Sequence, residues 1–85
     1  MKIFIVEDSV LVRKQLMRLL GADSRIQISG YAESCDAAVA SILEDNPDAV
    51  LLDIALKEGS GIEVLGRIRA AGCRSRVLIL TNNPC

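Results

Sequence analysis

Three carboxylates in this chain stand where short apolar runs end. Glu7 and Asp8 directly follow Ile3-Phe4-Ile5-Val6, and Asp53 directly follows Val50-Leu51-Leu52. A hydroxyl, Thr81, directly follows Val77-Leu78-Ile79-Leu80 in the same way. If these runs are neighbouring parallel strands, all four groups share one rim, because ligands of open parallel sheets bind at the carboxyl ends of the strands. Carboxylates gathered there repel one another unless a hard cation sits among them. Magnesium suits such a set: it takes one or two carboxylates, keeps several waters and adds phosphate oxygens. A carboxylate beside that cation can attack a phosphoryl group and form a covalent aspartyl intermediate, with Thr81 donating to a phosphoryl oxygen. The competing account is that acids after strands are ordinary loop residues, and Asp8 has a second use as a helix cap. The joint placement of all four, rather than any one of them, favours the chemical reading.

The elements needed to position them are legible. Residues 2–6, 25–31, 49–52 and 76–80 read as strands, with helical periodicity in the three segments between. Alternation of strand and helix implies a parallel sheet with right-handed crossovers. The first and third strands are apolar without interruption, as strands covered on both faces must be. Ile26-Gln27-Ile28-Ser29 alternates, as an edge strand does. The expected fold is therefore α/β, a flavodoxin-like three-layer α/β/α arrangement with strand order 2-1-3-4. Asp8 or Ser9 caps the first helix, Val12, Leu16, Leu19 and Leu20 form its inner stripe, and Gly21 closes it. Ser34 caps the second helix, with Cys35, Val39, Ile42 and Leu43 inside, and Asn46-Pro47 stops it. Ser60-Gly61-Ile62-Glu63 opens the third as a capping box, Ile62, Leu65 and Ile68 face inward, and it ends at Gly72. Gly66 inside that helix costs about 1 kcal/mol relative to Ala with no reason visible in the sequence.

Composition narrows the function classes. With 85 residues the chain forms one domain with a single modest core. Phe4 and Tyr31 are its only aromatic residues, so the core is aliphatic. Net charge is -1 with the signs interspersed, which excludes an electrostatic footprint for nucleic acid or an anionic membrane. No apolar run is long enough to span a bilayer, and the N-terminus lacks a signal-peptide core, so a cytoplasmic location is expected. Cys35, Cys73 and Cys85 lack metal-ligand spacing and read as free thiols. Arg67, Arg69, Arg74 and Arg76 read as a solvated face complementing a helix dipole. Gly59-Ser60-Gly61 has the wrong spacing for a nucleotide loop. A phosphohydrolase with Asp53 as nucleophile would want a second acid where Ala55 stands.

The run Ile3 to Ser9, the run Val50 to Ile54 with Gly59-Ser60-Gly61 behind it, and Val77-Leu78-Ile79-Leu80-Thr81 together resemble the receiver domains of bacterial two-component systems. The resemblance runs the length of the chain at the right spacings. It implies that Asp53 accepts phosphate from a sensor histidine kinase, and that Glu7, Asp8 and Asp53 hold Mg2+ with the backbone carbonyl of Ala55. It also makes Thr81 the switch hydroxyl and the glycines at 59 and 61 the shapers of the loop. Such a chain is a self-phosphorylating acceptor rather than a turnover enzyme, and it controls a downstream output, with transcription the expected one.

The resemblance has departures. Leu56 and Lys57 replace the family's frequent Met-Pro, and Asn82 replaces a small residue after the switch hydroxyl, which is expected to slow phosphate access. The family's lysine on a fifth strand, and the helices around it, find no counterpart, and Lys57 does not take that lysine's place. The chain thus reads as a receiver domain, residues 1–85, ending after its fourth strand. That leaves strand 4 as a bare apolar edge. The expected consequence is a homo-oligomer formed through strand 4 or the uncovered sheet face. The alternative function is then an interaction fragment incompetent for phosphorylation.

Overall fold

The computed structural model describes residues 1–56 and 59–80. Its elements are β1 (Lys2–Val6), α1 (Val10–Gly21), β2 (Gln27–Ala32), α2 (Cys35–Asp45), β3 (Ala49–Asp53), α3 (Gly61–Ala70) and β4 (Arg76–Leu80). The four strands form one parallel sheet in the order β2-β1-β3-β4. This is the expected flavodoxin-like order, and the uninterrupted apolar runs explain it. In β1, Phe4 and Val6 point to one face with Val50 and Leu52 of β3. Ile3 and Ile5 point to the other with Ala49 and Leu51. Helices α2 and α3 cover the first face through Ala38, Val39, Ile42, Val64 and Ile68. Helix α1 lies on the second through Leu16, Met17 and Leu20. Among the described residues there is no fifth strand.

Several local expectations are corrected. Strand β2 starts at Gln27 rather than 25, because Asp23 holds Arg25 in a side-chain fork and Ile26 N–H donates to the Asp23 carbonyl, turning the chain. The β1–β2 register slips between Ile3 and Phe4, so Ser29 bulges out and Gly30 faces Phe4. A Cβ at Gly30 would lie 3.1 Å from the Phe4 ring. In α1 the inner stripe is Arg13, Leu16, Met17 and Leu20, while Leu19 is exposed. Ser9 caps this helix through Val12 N–H, and Gly21 is its last residue, with the helix capped by Ala22 in a right-handed conformation. Leu43 is exposed and Ala38 takes the inner place in α2. Asn46 stops that helix in the left-handed region, as its position before Pro47 suggested. In α3, Val64 and Ile68 are buried, Leu65 is half-buried and Ile62 is exposed. Ser60 caps this helix through Ile62 N–H, whereas the Glu63 carboxylate turns to Cys35 of α2, so the expected capping box is not made. Gly72 closes the turn after α3 with φ +89°. Gly66 faces open space, and nothing in the structure explains it.

Among the described residues strand β4 pairs only with β3. Leu78 is 59 % exposed and Ile79 41 %, so the apolar edge expected from the sequence is present among the described residues.

Candidate functional site

The reversal of strand order between β1 and β3 brings their carboxyl ends side by side. Glu7 extends β1 by one hydrogen bond, its N–H donating to Ala32 of β2 at 3.1 Å. Asp53 is the last residue of β3, one position inside the strand rather than after it, and its backbone faces Leu80 of β4. Glu7 and Asp53 are each 4 % exposed, and Asp8 is half-buried. Carboxylate oxygens of all three lie within 4.8 Å of one another. The cluster thus assembles at the rim where the sequence placed it. Thr81 and Asn82 lie outside the described residues, as do Lys57 and Cys85.

Local backbone holds the acids in place. Asp53 Oδ1 accepts from Ala55 N–H at 3.1 Å, and Glu7 Oε1 accepts from Ser9 N–H at 3.2 Å. Ala55 also pairs with Ser60 in an isolated antiparallel bridge. Gly61 opens α3 against the Asp53 carbonyl, where a Cβ would come within 2.2 Å. Gly59 sits at φ +96°, and a Cβ there would meet Cys35 Cβ at 2.6 Å. Both glycines are thus steric requirements of the loop.

Crowding has an electrostatic consequence. Burial first, then the hydrogen bond with Asp53 and the charges of Asp53 and Asp8, raise the Glu7 carboxyl to about 7, against the pull of Ser9 N–H. Two buried carboxylates and a half-buried third, forced together with one holding its proton near neutrality, form an oxygen donor set that suits a hard divalent cation.

A second group, Cys35, Asp36 and Glu63, also comes within 4.8 Å. Arg67 fills it, donating to Asp36 at 2.7 Å and to Cys35 Sγ at 3.6 Å, while the thiol donates to Glu63 at 3.0 Å. Burial and that bond to Glu63 push the thiol up, so it stays protonated. This group ties α2 to α3. Cys73 is likewise a buried thiol, bonded to Ser75 Oγ.

Sequence reading missed Arg13 as a neighbour of the site. Its Nη1 donates to the Glu7 carbonyl at 3.0 Å, and its Nη2 lies 3.1 Å from Glu33. No signal for it stands in the sequence, because the apolar stripe through Val12, Leu16, Leu19 and Leu20 leaves Arg13 outside it.

Residues 3–84 match the family pattern of the response regulator receiver domain. The chain belongs to this family. It is 38% identical over 81 residues to the DNA-binding transcriptional activator DevR/DosR of Mycobacterium tuberculosis, covering 95% of this chain and 37% of that protein. It is 41% identical over 68 residues to a protein-glutamate methylesterase/protein-glutamine glutaminase of Trichodesmium erythraeum, covering 80% of this chain and 19% of that protein. A chain in the crystal structure of the CheX-CheY-BeF3-Mg+2 complex from Borrelia burgdorferi superposes with a TM-score of 0.88 at 28% identity, covering 99% of this chain and 63% of that one. The chain therefore spans well under half the length of the first two relatives. The receiver domain has the phosphoacceptor role in two-component response regulators, and the resemblance seen in the sequence is borne out. Among the described residues no helix is long and apolar enough to cross a membrane.

Proposed function

We propose that this receiver domain is a Mg2+-dependent signalling switch in which Asp53 accepts a phosphoryl group from a sensor histidine kinase. The observation that carries this reading is the convergence of Glu7, Asp8 and Asp53 within 4.8 Å at the strand-order reversal. The three carboxylates and the backbone carbonyl of Ala55 would hold the cation. When bound, Mg2+ supplies neutralisation of charge on the phosphoryl oxygens. The related complex from Borrelia contains Mg2+ and BeF3. Asp53 would attack phosphorus with a carboxylate oxygen, forming an O–P bond as the bond from phosphorus to the donor breaks. The donor leaves with that electron pair, and Asp53 becomes an acyl phosphate. The Ala55 N–H at Asp53 Oδ1 keeps the carboxylate oriented, leaving the other oxygen for attack. Thr81 would then donate to a phosphoryl oxygen and report the change. The output of the parent protein is proposed to be transcription, as in the DevR/DosR relative.

The test is intact mass after incubation of the chain with Mg2+ and acetyl phosphate. The expected result is gain of one phosphoryl group in the presence of Mg2+ and none in its absence. A folded sample with no gain in Mg2+ would remove the acceptor reading.

The exposure of Leu78 and Ile79 on β4 among the described residues favours a second, compatible property, self-association. Covering Leu78 and Ile79 would contribute about 1–2 kcal/mol each. Sedimentation of the 85-residue chain is expected to show concentration-dependent association, weakened by Leu78→Lys. A monomer at every concentration would sink this idea.

A further inference from the structure

Position 13 carries a cation where the pattern of α1 would accept an apolar side chain. Arg13 is 7 % exposed and is the buried residue of its helix. Its Nη1 donates to the main-chain oxygen of Glu7 at 3.0 Å, and its Nη2 meets Glu33 at 3.1 Å. The guanidinium carbon stands 4.0 Å from the centre of the Tyr31 ring. One planar group thus joins the end of β1, the edge strand β2 and the residue just after β2. Burying a guanidinium is costly unless its donors are satisfied. An aliphatic residue would pack the same face without that cost.

Arg13 reaches Glu7 through its main-chain oxygen, so it acts on where Glu7 sits. We infer that Arg13 is a positioning residue: through the Glu7 carbonyl it fixes the turn that aims Glu7 and Asp8 at Asp53, and so sets the affinity of the site for a divalent cation. This rests on the metal-site reading above. Lysine cannot substitute, because a single ammonium lacks the planar fork that serves Glu7 and Glu33 together.

The test is titration of the 85-residue chain with Mg2+ alone, followed by calorimetry and by thermal melts, for wild type, R13K, R13M and E33Q. Groups that orient metal ligands typically matter by 10–100-fold, so R13K and R13M should bind Mg2+ about tenfold more weakly. E33Q, on a largely exposed side chain, should weaken binding by about threefold. With acetyl phosphate, the Mg2+ concentration for half-maximal uptake should rise while the rate at saturating Mg2+ stays near that of wild type. A merely structural role would lower the folded fraction and leave the Mg2+ midpoint of the folded protein unmoved. If R13M fails to fold, R13K and E33Q decide. Folded R13K with wild-type Mg2+ affinity overturns the inference alone. A wild-type chain that binds no Mg2+ overturns the site reading and this inference with it.

Discussion

Asp53→Asn should abolish phosphoryl uptake and, in the absence of Mg2+, raise the stability of the chain at about pH 8. The first follows from loss of the attacking carboxylate oxygen, the second from removing one charge from a buried cluster. The native state holds the Glu7 proton up to about pH 7, whereas the ordinary value is 4.5. Between these values the native state binds more protons than the unfolded one, so stability must fall as pH rises. The contribution is fully present below about pH 4.5 and is lost as pH passes 7. One such group changes stability by at most about 1.4 kcal/mol per pH unit. The amide introduced by Asp53→Asn can still accept from Ala55 N–H through its oxygen and donate to Glu7 through its nitrogen, so the geometry survives. What disappears is the repulsion between Asp53 and Glu7. The Glu7 carboxyl then moves part of the way back, burial keeping it raised.

The expected gain for metal-free Asp53→Asn is about 1–2 kcal/mol at pH 8, or several degrees in Tm for a domain of this size. At pH 5, where Glu7 in the wild type holds its proton, the gain should shrink. Mg2+ should reverse the ranking by stabilising the wild type, with its full acid set, more than the variant. Thermal melts at the two pH values, with and without Mg2+, check all of this. A variant less stable than wild type at pH 8 without metal would show that Asp53 serves the fold more than it burdens it.

The sheet was legible because two-sided burial writes itself into sequence. Ile3-Phe4-Ile5-Val6 cannot alternate when Ile3 and Ile5 serve one core and Phe4 and Val6 the other. From that contrast with β2 the strand order followed, and from the order the meeting of Glu7, Asp8 and Asp53. Helix faces were less legible for a physical reason. In α1 two stripes overlap, one through Val12 and Leu19 and one through Arg13 and Met17, sharing Leu16 and Leu20. Hydrophobicity prefers the first. The structure takes the second, because Arg13 finds the Glu7 carbonyl, Glu33 and the Tyr31 ring, and so becomes buriable. Side-chain partners on other elements decide such cases, and a single helix's periodicity does not contain them. The unmade capping box has the same origin, since Glu63 prefers Cys35 across the α2–α3 contact, and Arg67 one turn along its own helix, to its own helix start.

Gly61→Ala is expected to be among the most damaging single-methyl changes in the chain. The added Cβ would stand 2.2 Å from the Asp53 carbonyl oxygen, 2.9 Å from its carbon and 3.0 Å from Ile54 Cα. All three are backbone atoms, so no side chain can swing aside. Either α3 withdraws from the sheet or the Asp53–Ile54 peptide moves. The first loosens Val64 and Ile68 from the core they share with Val50 and Leu52. The second displaces the proposed acceptor and the Gly61 N–H bond to the Ile54 carbonyl. Overpacking against rigid surroundings typically costs about 1–3 kcal/mol, a large share of the stability of so small a domain. Gly66→Ala, in the same helix, faces open space and should instead stabilise by about 0.5–1 kcal/mol through helix propensity. The two variants share chemistry, helix and backbone hand, and differ only in what a methyl group meets. Chemical denaturation should therefore move their midpoints in opposite directions, and Mg2+ binding should weaken only in Gly61→Ala. If both variants shift alike, helix propensity rather than the contact with Asp53 governs position 61, and the loop after β3 has more room than the structure shows.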